Sequence, residues 1–116
     1  IREVDAALTP HRQRRVFEAH PELAWFVCTG TPMPHPKRTL AGAAARRIAL
    51  RQHLPGALEA LDAFLLDAPA GSFALDDACD AAILCRTAWR RGQGQAVCLP
   101  PRPPRDARGL RMAIWY

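Results

Sequence analysis

The sequence predicts an α/β domain, mostly helical with few strands. Three observations predict it. Apolar residues recur at helical spacing, as at Leu58, Leu61, Phe64 and Leu65, which share one helix face. The closing stretch GLRMAIWY alternates instead: Leu110, Met112 and Ile114 interleave with Arg111, Ala113 and Trp115, the pattern of a half-buried strand. The chain has 116 residues, 49% hydrophobic and 23% charged, enough for a single domain over residues 1–116 with a modest core.

The elements follow in order. Residues 2–8 predict a short helix stopped by Thr9-Pro10. Val16 and Phe17 sit between charged and turn residues and suit a short strand ending near Glu18 or His20. His20 precedes a proline and is pushed towards an extended conformation, and Pro21 opens a helix that Gly30 closes. Prolines at 32, 34 and 36 make an exposed loop, and Thr39 caps a helix to about His53. Pro55 opens the next helix. Ser72 or Asp76 starts another, running to about Arg91, where GQGQ ends it. LPPRPPRDARG reads as a stiff linker. Trp25, Trp89 and Trp115 lie on amphipathic elements and read as core.

One or two strands make no stable sheet. The rest of the sheet is therefore expected outside this chain or from a partner, and an unpaired edge would favour self-association. The start at Ile1 agrees with a piece of a longer protein.

No apolar run reaches the roughly 18 residues of a membrane helix, so no membrane partner is expected. Cys28, Cys79, Cys85 and Cys98 form no C-x-x-C pair and read as reduced thiols of a cytoplasmic protein. The net charge is +5 with a pI near 9.7. Fifteen of the sixteen basic residues are Arg, the better residue for bidentate phosphate contacts. That points to nucleic acid as partner, although an Arg- and Ala-rich composition also arises with no binding role.

The stretch ALDDACDAAILC carries the chemistry. Asp76, Asp77 and Asp80 fall near the start of an otherwise apolar helix, within about 100° of each other. Asp caps helix starts and meets the positive end of the dipole, which accounts for one or two of them. It accounts poorly for Asp80, a full turn in. Acids at this spacing repel, and a hard divalent cation relieves the repulsion. Glu18, at the end of a short apolar strand, stands where active-site groups of α/β sheets gather. A strand-end Glu with acids on a late helix is the layout of a two-metal phosphoryl-transfer site. Glu22 reads as plain surface.

RVFEAHPELAWFV, the loop MPHPKRT, DDACDA and the closing DARGLRMAIWY together resemble the domain-of-unknown-function-429 family, whose members are predicted nucleases of the ribonuclease-H-like fold. The resemblance covers nearly the whole chain, as the C-terminal part of a longer member with the N-terminal strands missing. The wider superfamily, which includes Holliday-junction resolvases, carries an Asp on its first strand, a Glu at the end of its fourth and acids on its last helix. Asp77-Ala78-Cys79-Asp80-Ala81 matches the Asp-x-x-Asp-Ala pattern of the resolvase helix, and Glu18 matches the fourth-strand Glu. The first-strand Asp has no counterpart here.

The resemblance implies a metal-dependent nuclease that hydrolyses the phosphodiester bonds of DNA or RNA by two-metal catalysis. Glu18, Asp77 and Asp80 would be catalytic and hold Mg²⁺ or Mn²⁺, with Asp76 as a substitute ligand or cap. Lacking the first-strand acid, the chain alone would not cut. The loop belongs to the same resemblance. His35, Lys37 and Arg38, with Arg46, Arg47 and Arg51 on the following helix, would contact phosphates beside the metal, or form a solvated basic face. The rival reading is a non-catalytic module on the same fold that binds nucleic acid or protein.

Overall fold

The computed structural model describes residues 2–69 and 71–116. Local signals set most helix ends. The first helix, α1, spans Arg2–Ala7. The second, α2 (Pro21–Thr29), begins at Pro21 after an extended His20 and ends where Gly30 adopts a left-handed φ of 77°. A residue with a Cβ resists that φ, which makes glycine the stop. α3 (Leu40–His53) is capped by Thr39, whose hydroxyl accepts from the Gly42 N–H at 3.0 Å and donates to the Pro36 carbonyl at 2.8 Å. One side chain thus starts the helix and ties the proline-rich loop to it. α4 (Ala57–Asp67) starts after a left-handed Gly56 rather than at Pro55.

The last helix, α5 (Leu75–Gly92), departs from expectation at its start. Its N-cap is Ala74, which makes no side-chain capping bond, and the Ser72 hydroxyl donates to the Pro69 carbonyl instead. Asp76 and Asp77 stand in the first turn, where the dipole favours them.

Helices α2 to α5 enclose the core. Trp25, Leu50, Cys79 and Ile83 are sealed from solvent, with Ala24, Ala49, Leu58 and Leu61 around them. Two aromatic residues depart from the core expected of them. Trp89 is 62% exposed on the outer face of α5, and Phe64 is 55% exposed. Phe64 stacks on Phe73, ring centroids 5.1 Å apart, so each shields one face of the other.

The described residues form a mixed α/β fold, mostly helical, with one small sheet. β1 (Glu18–Ala19) pairs in parallel with β3 (Ile114–Trp115), which pairs antiparallel with β2 (Cys98–Leu99). Glu18 and Cys98 lie at the two edges, aligned with Ile114 and Trp115 respectively. The strand expected with Val16 and Phe17 begins only at Glu18, two residues later, and ends at Ala19, within the expected range. The expected alternation in GLRMAIWY breaks: Leu110 and Ala113 are buried and Met112 is exposed.

The reason lies in residues 104–112, which form a hydrogen-bonded turn and not a stiff linker. Asp106 accepts from the backbone N–H groups of Arg108 and Leu110, Arg105 bridges to Arg111, and Arg108 reaches the Asp5 carboxylate at 3.2 Å. These bonds fix the backbone before β3 begins. No described helix is long and apolar enough to cross a membrane.

Candidate functional site

Asp76 and Asp80 are one turn apart on α5 and face the same way. Both are buried, at 8% and 7% exposure. Their neutralising partner comes from the proline-rich loop. The Lys37 ammonium lies 2.8 Å from Asp80 Oδ2 and 3.4 Å from Asp76 Oδ2. The Trp25 indole donates to Asp80 Oδ1 at 3.3 Å, so both oxygens of Asp80 are engaged. Arg38, largely exposed, approaches Asp76 at 3.8 Å. The bond to Asp80 raises the Lys37 pKa above its ordinary value, with Asp76 adding to the effect.

A second buried charge holds that loop. Arg46 is 1% exposed and pairs with Glu22 at 2.5 Å. Its guanidinium donates to the His35 carbonyl at 3.3 Å and the Gly42 carbonyl at 3.4 Å, and its carbon lies 5.9 Å from the Trp25 ring centroid. Arg46 therefore does not present a charge to the surface, as expected of a phosphate contact; it anchors the segment that delivers Lys37. His35 contributes its carbonyl to this anchor. Gly42 completes it: a Cβ there would overlap the Pro36 carbonyl, so the loop could not lie against α3.

Arg47 is likewise committed. It grips both oxygens of Asp62, at 2.6 and 3.1 Å, clamping α3 to α4. The bond raises the Arg47 pKa and lowers that of Asp62.

The other predicted acids lie elsewhere. Asp77 is exposed on α5. Glu18 lines a cleft of about 330 Å³ that Arg91 also lines. Arg91 is eleven positions after Asp80 on α5, about 16 Å further along at 1.5 Å per residue. Among the described residues no three His, Cys, Asp or Glu side chains come together in a way that could hold a metal ion. The expected cluster of Glu18, Asp77 and Asp80 is not assembled. The acids that do meet are Asp76 and Asp80.

Their donor chemistry can be tested against a divalent ion. Mg²⁺ takes hard oxygen ligands, often one or two carboxylates completed by water. Asp76 and Asp80 supply two such groups, and their shared face already holds a cation, the Lys37 ammonium. The pair fits one ion in kind and number. It does not supply the larger carboxylate set that two bridged ions need.

The cleft at Glu18 was not foreseen. Arg14, Arg91, Arg105 and Arg111 line it, together with Phe17 and Trp115. These residues are spread over the sequence, and only the β1–β3 pairing brings them together. Glu22 and Arg46 carried a fainter signal. Gly42, Arg46, Ala49 and Leu50 fall on one stripe of α3, and a charge inside an apolar stripe calls for a charged partner.

No curated protein and no solved structure matches the chain. The family model described as protein of unknown function, DUF429, matches residues 1–105, and the chain belongs to that family.

Proposed function

We propose that this domain acts on nucleic-acid phosphodiesters as a divalent-cation-dependent nuclease of the ribonuclease-H-like type, with Asp76 and Asp80 as its carboxylate ligands. The observation that carries this reading is the pair itself: two buried acids one turn apart, facing a cation. Carboxylates are costly to bury, and both are buried here. The parallel pairing of β1 and β3 and the family membership support it.

An Mg²⁺ or Mn²⁺ ion held by the pair would polarise a phosphoryl oxygen and lower the pKa of a bound water. The chain's own residues do the positioning. The Trp25 indole orients the Asp80 carboxylate, leaving Oδ2 directed at the shared face. Lys37, on an exposed loop, would yield that face to the ion and offer its ammonium to a phosphate. Asp77, next in sequence to Asp76, is exposed to solvent. A second reading, a nucleic-acid-binding module without catalysis, is favoured by the same salt bridge, since a carboxylate pair neutralised by Lys37 has no need of a metal ion.

The two readings separate in a nuclease assay on the natural full-length protein. Labelled DNA and RNA are offered with EDTA, Mg²⁺ or Mn²⁺. The nuclease reading expects cleavage that requires the ion and falls at least a hundredfold in Asp80→Asn and Asp76→Asn. Binding without cleavage in either ion, or cleavage that survives both substitutions, overturns it.

A further inference from the structure

We propose that the arginine-lined cleft on the Glu18 side of the sheet binds the phosphate backbone of a nucleic-acid strand, independently of the acid pair on α5. The inference shares with the proposed function a nucleic-acid ligand and none of its chemistry.

The cleft offers four guanidinium groups against one carboxylate, Glu18. Two of the four are set in place by the fold. Arg91 lies over the Trp115 ring at 4.0 Å and the Phe17 ring at 4.5 Å, and donates to the Gln13 carbonyl at 3.4 Å. Arg105 donates to the Gly109 carbonyl. The side chains of Arg14 and Arg111 have no hydrogen-bond or ion-pair partner among the described residues. Two fixed and two unengaged guanidiniums around one hollow form a site organised for oxyanions. Arginine binds phosphate in bidentate fashion, which a lone surface charge does not.

The aromatic rings decide what part of a nucleic acid enters. Base recognition by stacking needs an open ring face. Arg91 covers Trp115 and Phe17, which are also turned edge to face with each other at 6.3 Å. Arg91 thus takes one face of each ring, and the contacts its guanidinium and its neighbours offer are charge-assisted bonds to phosphate, which position a strand without reading its sequence. The volume, about 330 Å³, is that of a small-ligand pocket and admits a short run of backbone. Glu18 opposes phosphate, so its removal should strengthen binding.

The test is fluorescence anisotropy with labelled single-stranded oligonucleotides in EDTA, over a series of salt concentrations. EDTA separates binding from any cleavage, so loss of the nuclease reading leaves this result standing. Arg14→Gln with Arg111→Gln should weaken binding at least tenfold. The two changes should reduce the slope of log affinity on log salt by about 1.4, at about 0.7 per lost contact with a single strand. Both side chains are exposed and unengaged, so unchanged circular dichroism and melting temperature should accompany the loss. Glu18→Gln should tighten binding. Binding should be indifferent to base sequence.

Three outcomes overturn the proposal. One is an unchanged slope in the double variant. Another is a loss that falls on Arg38→Gln instead, which would place the strand at the proline-rich loop. The third is binding of inorganic tripolyphosphate with no binding of oligonucleotide, which would make the ligand a free polyphosphate.

Discussion

At the scale of single residues the molecule turns on its one lysine. Lys37 meets two buried carboxylates, and removing it leaves Asp80 with no cation among the described residues and Asp76 with only the exposed Arg38 at 3.8 Å. Breaking a fully buried pair costs about 3–5 kcal/mol. Lys37 is 35% exposed, so water screens the pair and Lys37→Met should cost about 2 kcal/mol. In thermal denaturation that is a fall of about 4 °C per kcal/mol in a domain of this size. The variant should also gain more from Mg²⁺ than the parent does, because the ion no longer competes with an ammonium. An ion at tenfold its dissociation constant adds about 1.4 kcal/mol. Equal Mg²⁺ stabilisation of both proteins would show that Lys37 does not occupy the cation position. The pH dependence has a definite sign. The Lys37 pKa is raised by Asp80, so its contribution is whole below the ordinary lysine value of about 10.4 and is lost only as pH rises through the higher folded value. Near neutrality the melting temperature should not respond to this group.

At the scale of elements, two glycines give opposite expectations. Ala exceeds Gly in helices by about 1 kcal/mol. Gly92, at the end of α5, has open space around a built Cβ, and Gly92→Ala should gain up to about 0.5–1 kcal/mol. Gly42 lies in the first turn of α3, and its Cβ would meet the backbone of Pro36. Backbone cannot swing aside as a side-chain tip does, so Gly42→Ala should lose about 1–3 kcal/mol and displace the loop that carries Lys37. Urea denaturation of the two variants checks both signs, and a stabilised Gly42→Ala would mean that the loop does not lie on α3. The same elements mark what was legible in the sequence. Both ends of α2 and the start of α3 were, because Pro21, Gly30 and Thr39 act on their own neighbours. The start of α5 was not, because Ala74 provides no capping side chain. The acid pair was visible as spacing, yet its partners were not. Lys37 precedes Asp80 by 43 positions and Trp25 precedes it by 55, separations fixed by packing and not by local pattern. The sheet was least legible. Its strands are two residues each, too short to show a period, and the backbone of residues 110 and 111 ahead of β3 is held by side chains of Asp106 and the distant Gln13.

At the scale of the whole molecule, the helical core and the small sheet are held by different amounts of buried surface. The main buried cluster draws only on α2 to α5. Outside it, Cys98, Leu110 and Ala113 are the buried apolar residues near the sheet, and two-residue strands offer few ladder bonds to protect them. Regions with few buried contacts open locally at a lower free energy than the core. The cysteines report this directly, because Cys85 is exposed, Cys98 is buried within strand β2 of the sheet and Cys79 is sealed in the core. Labelling by a thiol reagent at mildly alkaline pH should therefore take the order Cys85, then Cys98, then Cys79. Burial also pushes the Cys79 thiol up, so even when reached it carries less thiolate than an open cysteine at the same pH. The denaturant dependence separates the two buried sites. Cys98 should label through a local opening whose rate changes little with low urea. Cys79 should label only through global unfolding, with a steep dependence that matches the equilibrium m-value. Mass spectrometry of partly labelled protein gives both rates from one time course. If Cys98 and Cys79 share one steep dependence, sheet and helices unfold as a single cooperative unit. The strand that carries Glu18 would then be as firmly held as the helix that carries Asp76 and Asp80.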